Sequence, residues 1–158
     1  MRKIACTVLV CLAAVGCGVA NEAAKPAAAT ATASTSVSAQ VVDPYLKIHA
    51  GLAKDTVDGL KASAGEVAAA AKGLGAPAAK VEAAATELAA AEDIKAAREK
   101  FGALSEAIDQ YASANKLGWP QDVRKAWCPM VNKPWLQKGS EIANPYYGKE
   151  MPTCGEFK

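Results

Sequence analysis

Histidine is nearly absent from this chain, with a single residue, His49, among 158. One imidazole excludes a poly-histidine zinc site and a two-histidine iron site. No GxGxxG, no GxxxxGK[ST] and no GxSxG occurs, so the usual dinucleotide, phosphate and acyl-transfer devices are missing. Nor can a base–nucleophile pair be assembled from the remaining residue types, and the chain reads as a non-enzyme. Aromatic residues make up only 6 %. No acidic residue precedes Glu22. What is abundant is alanine, nearly a quarter of the residues, within an apolar fraction of 51 %. Alanine favours helix and buries little area, so close-packed helices are expected in place of a large apolar interior.

The N-terminus points to export. Arg2 and Lys3 form a short basic region, and Ile4 to Val15 is an apolar stretch of about a dozen residues, short of the ~20 that span a bilayer. Ala14-Val15-Gly16-Cys17 resembles a bacterial lipobox, with Cys17 as the lipidated residue. Cleavage after Ala20, through Gly18-Val19-Ala20, is the competing end. Residues 1–20 are therefore expected to be a signal peptide, and the protein periplasmic and anchored to a membrane only through that lipid. Without Arg2 and Lys3 the 18 basic residues become 16, matching the 16 acidic ones. A neutral chain has no electrostatic footprint for nucleic acid. Cys6, Cys11 and Cys17 belong to the leader, which leaves Cys128 and Cys154 for the mature domain.

Residues 21–42 are rich in Ala, Thr and Ser, with no aromatic residue. Such a composition cannot offset ordering entropy and reads as a linker with a reach of roughly 25 Å. Asp43-Pro44 then resembles a helix start. Leu46, Ala50, Ala53, Val57, Leu60, Ala64, Val67, Ala71 and Leu74 follow at steps of four and three, which predicts one long amphipathic helix. A second stripe runs through Val81, Ala84, Leu88 and Ala91. A third runs through Ile94, Ala97, Phe101, Leu104, Ile108 and Tyr111, with Lys95, Glu99, Glu106 and Asp109 as solvated charges opposite. Residues 43–158 are thus expected to be all-α, an antiparallel bundle of three to four helices. Six of the nine aromatic residues lie from Trp119 onward, among frequent Pro and Gly. This part reads as one helical turn, with Val123 and Trp127 on a shared face, and then an irregular aromatic-rich wrap.

The chemistry-bearing residues lie in that wrap. Apart from Met1, the only methionines are Met130 and Met151. Each sits two or three residues from a mature cysteine, in Cys128-Pro129-Met130 and Met151-Pro152-Thr153-Cys154. Thiolate and thioether are soft donors that select Cu(I) or Ag(I). Cys128, Met130, Met151 and Cys154 are the candidate ligands, and His49 is a fifth if its end of the bundle faces the wrap. Blander readings stand beside this one. A Cys128–Cys154 disulfide closing a loop of about 26 residues would be worth ~3.5 kcal/mol. The methionines can fill gaps against the tryptophans, and His49 can sit at the edge of the core.

Several motifs follow one another in a fixed order. They are Asp43-Pro44-Tyr45-Leu46-x-Ile48, Phe101-x-x-Leu104-Ser105, Cys128-Pro129-Met130, Trp135-Leu136-Gln137 and Asn144-Pro145-Tyr146-Tyr147-Gly148-Lys149-x-Met151-x-x-Cys154-Gly155-Glu156. Together they resemble the small helical domain found at the C-terminal end of some periplasmic adaptor subunits of copper/silver-type heavy-metal efflux systems. The resemblance covers residues 43–158. Only Val131 to Pro134 separate CPM from WLQ, a shorter connection than in the family, and the barrel, lipoyl and hairpin domains of an adaptor are missing. The resemblance implies an association with soft-metal handling and with efflux components as partners. A disulfide-stapled module that docks to an efflux or envelope component, without metal, is the alternative.

Overall fold

The computed structural model describes residues 35–158. Residues 1–20, the proposed lipidation site Cys17 and the linker as far as residue 34 lie outside the described residues. Four helices come first: α1 (Ala39–Leu52), α2 (Leu60–Gly73), α3 (Ala79–Ala89) and α4 (Ile94–Ala114). Three strands follow: β1 (Val123–Cys128), β2 (Lys133–Lys138) and β3 (Glu156–Phe157). The strands form an antiparallel sheet in the order β2-β1-β3. The fold is mixed α/β, and the all-α expectation is corrected here.

The correction has a local cause. Val123 and Trp127, expected to share a helical face, belong to β1, which pairs with β2 from Val123↔Lys138 to Cys128↔Lys133. The short Val131–Pro134 connection is what makes this a tight hairpin, because only Pro129 to Asn132 lie between the last paired residues. Asn132 takes the left-handed conformation (φ 56°) that such a loop needs and that asparagine tolerates.

The first helix also differs from expectation. The fold begins before Asp43: the Val37 amide bonds the Gly118 carbonyl at 3.0 Å, and the Gly118 amide bonds the Thr35 carbonyl at 2.8 Å. Ser38 caps α1 by accepting from the Gln40 amide, and Pro44 lies inside the helix. Residues 35–42, assigned to the linker from composition, thus carry core side chains, with Val37, Val41 and Val42 all buried. The single long helix expected from Leu46 to Leu74 is broken between α1 and α2. Asp55 and Gly59 there adopt positive φ (62° and 70°), which ends helical propagation. Val57, placed on the expected seam, is 41 % exposed. In α1 the buried face runs through Val41, Tyr45, Ile48 and Leu52, about one residue out of phase with the expected Leu46-Ala50-Ala53 stripe.

The third stripe holds. Asp93 caps α4, its carboxylate accepting from the Ala96 amide at 2.8 Å. Ala97, Phe101, Leu104 and Ile108 are buried. The hairpin lies over this helix, and Tyr45 of α1 fixes it there. The Leu136 amide of β2 donates to Tyr45 Oη at 3.1 Å. Tyr45 stands 2.6 Å from Ser105 Oγ, which in turn donates to the Phe101 carbonyl at 2.9 Å. One phenol thereby joins α1, α4 and β2. Rings continue the contact: Tyr45 stacks on Phe101 at 4.9 Å, and Tyr146 meets Phe101 and Trp135 at 6.0 Å each. Glu106 and Asp109, expected to be free in solvent, pair with the hairpin lysines, Lys133 at 2.9 Å and Lys125 at 3.0 Å. Half-exposed pairs of this kind contribute at most ~1 kcal/mol each, so they orient the hairpin more than they stabilise it.

Candidate metal centre

Cys128 closes β1 and is fully buried, whereas Cys154, just before β3, is half-buried. The antiparallel pairing Trp127↔Glu156 brings these two chain segments side by side. Both cysteines are free thiols, and one Asn144 side chain bonds the sulfur of Cys128 and the carbonyl of Cys154. Burial, then the neighbouring Cys128 thiol, pushes the Cys154 thiol up. A cation that binds here must therefore displace a firmly held proton.

Gly155 permits the approach. It has φ 147°, and a Cβ at this position would lie 3.0 Å from the Trp127 carbonyl and would strike the Trp135 indole. No side chain fits there, so the segment from Cys154 into β3 can lie flat against β1.

Asn144 is the residue that sequence reasoning missed. It is fully buried. Its Nδ2 donates to the Cys154 carbonyl at 2.6 Å and to Cys128 Sγ at 3.5 Å. Its Oδ1 accepts from the Tyr146 and Tyr147 amides at 2.7 and 3.2 Å. Both protons and both lone pairs are used, so the amide has one orientation, with an N–H aimed at sulfur. Gln137, also buried, does the same work for the preceding loop. Its Oε1 accepts from Trp135 Nε1 at 2.9 Å and from the Ala143 amide at 3.1 Å. Its Nε2 donates to the Glu141 carbonyl at 2.6 Å. Asparagine before Pro-Tyr-Tyr reads as turn chemistry, and nothing in its spacing marks it as a cysteine neighbour.

The other predicted ligands are placed differently. Met151 belongs to the turn of Cys154, whose amide bonds the Met151 carbonyl at 3.2 Å, and its side chain is half-buried. Met130 lies in the hairpin loop and is 63 % exposed. His49 is buried on α1, where its Nε2 stands 2.8 Å from the Ala143 carbonyl. It does not join the cysteines: no group of three or more His, Cys, Asp or Glu converges among the described residues. The structure thus sets the two cysteine-bearing segments side by side, holds Met151 in the turn of Cys154, leaves Met130 exposed and commits His49 to the Ala143 carbonyl. No family model, curated protein or solved structure matches the chain. No helix among the described residues is long and apolar enough to cross a membrane.

His49 carries its own prediction. Burial holds its pKa below the ordinary value, and the bond to Ala143 offsets this in part. The unfolded chain takes up the proton first, near pH ~6.5, so stability is full above that value and falls as pH drops through it. Urea midpoints measured between about pH 7.5 and pH 5.5 should decline in wild type and stay flatter in His49→Gln. Equal slopes would remove His49 as the cause.

Proposed function

We propose that this chain is a soft-metal domain of the bacterial periplasm, tethered through Cys17, that takes one Cu(I) or Ag(I) between Cys128 and Cys154. The observation that carries the reading is that the two free thiols lie on adjoining segments, bridged by one Asn144 side chain that bonds Cys128 Sγ and the Cys154 carbonyl. Two thiolates satisfy a monovalent soft cation in a two-coordinate arrangement, whereas zinc wants four ligands. Binding releases thiol protons, because only the thiolate ligates. The Asn144 donor fixes the position of the Cys128 sulfur, as outer-shell donors do at other metal centres. Met151, in the turn of Cys154, would offer a third, thioether ligand. The association with heavy-metal efflux components rests on the motif resemblance.

A second reading has the same observation behind it. Oxidation of the two thiols would form one S–S bond, release two protons and pass two electrons to a disulfide oxidant of the envelope. That bond would staple the two-residue strand β3 to β1 and leave a docking module without metal. Titration of the reduced protein with Cu(I), in competition with a chromophoric Cu(I) chelator, separates the two. One equivalent bound, with proton release, supports the metal site. A full disulfide in protein taken from the periplasm, with no Cu(I) competition after reduction, supports the staple.

A further inference from the structure

Away from the thiols, α1 carries a second apolar stripe that borders an open cavity. Leu46, Ala50 and Ala53 follow one another along it at steps of four and three, and with His49 they form one wall of a cavity of about 460 Å³. Lys138, at the end of β2, and Ala143, in the loop after it, form the facing wall, and Lys54 stands at the end nearest the α1 C-terminus. The volume lies within the range of small-molecule sites, and the lining is mostly apolar with few polar groups, as in such sites.

The charge of this cavity has one sign. Lys54 and Lys138 take part in none of the ion pairs among the described residues, and no carboxylate lines the cavity. His49 is committed to the Ala143 carbonyl. Two uncompensated ammonium groups beside an apolar wall repel cations and leave an inorganic anion with nothing to gain from the hydrocarbon lining.

We propose that this cavity binds a small amphipathic carboxylate, its hydrocarbon lying along Leu46, Ala50 and Ala53 and its carboxylate met by Lys54 and Lys138. The site is separate from the thiol pair, so its test stands whether or not metal binds.

Octanoate, titrated into the full chain and followed by backbone amide NMR shifts, is the probe. Saturable shifts confined to residues 46–54 and 138–143 are expected. Lys54→Glu combined with Lys138→Glu should weaken binding by about tenfold or more, since two attractions become repulsions. Both lysines are exposed, so the charge reversal leaves the core intact. Ala50→Trp, filling the groove from an exposed helical position, should abolish binding with the charges kept. Octylammonium should give no saturable shift. Absent shifts, equal affinity for octanol and octanoate, or affinity untouched by both variants would each overturn the proposal.

Discussion

Cys128→Ser is expected to reduce Cu(I) affinity by more than about 100-fold, beyond the loss that disturbing outer-shell partners alone brings. Serine keeps a buried hydroxyl that Asn144 Nδ2 can still reach, so the reduced fold should lose little. Met130→Leu should change nothing, because a side chain that is 63 % exposed has no fixed place beside the sulfurs. Met151→Leu keeps volume and apolarity and should weaken Cu(I) binding while leaving stability nearly unchanged. If Cys128→Ser instead keeps Cu(I) affinity and costs ~2–5 kcal/mol only under oxidising conditions, the pair acts as a staple and the metal reading fails.

The largest expected stability effect is that of Trp135→Ala. The indole is fully buried, meets Tyr146 edge-on and covers Gly155. Truncation removes a large apolar surface and opens a cavity between hairpin, aromatic cluster and β3, at a cost of about 3–5 kcal/mol. Gln137 loses one donor but keeps the Ala143 amide, so the cost arises mainly from packing. Lys95→Ala, at an exposed position near the start of α4, should stay within about 0.5 kcal/mol. Urea denaturation of both variants checks the contrast, and similar losses at the two sites would contradict the packing described for α4 and the hairpin.

How far the sequence foretold this molecule depends on the element. In α4 the stripe through Ala97, Phe101, Leu104 and Ile108 is the buried face, because one side of that helix meets the core and the other meets water. In α1 two apolar stripes compete. Leu46, Ala50 and Ala53 continue in phase with later residues, yet Val41, Tyr45, Ile48 and Leu52 form the core. The in-phase stripe borders the open cavity instead. The sheet escaped detection because its strands lack a period of two. Pro134, Trp135, Leu136 and Gln137 are buried in succession, since helices cover one side of β2 and the loop held by Gln137 covers the other. Counting cysteines singled out Cys128 and Cys154, and the Trp127↔Glu156 pairing sets their segments side by side. The separation of His49 and Met130 from them did not follow from counting, because it depends on a hairpin that composition hides.

The contact between Gly155 and Trp135 also gives the molecule an internal optical reporter. An indole ring rests against the residue that follows Cys154, so a change at that sulfur falls within the reach of a fluorophore already in the chain. Metal loading and thiol oxidation can then be followed through tryptophan emission on unlabelled protein. Trp119 and Trp127, neither of them fully buried, supply a background that a Trp135→Phe control subtracts.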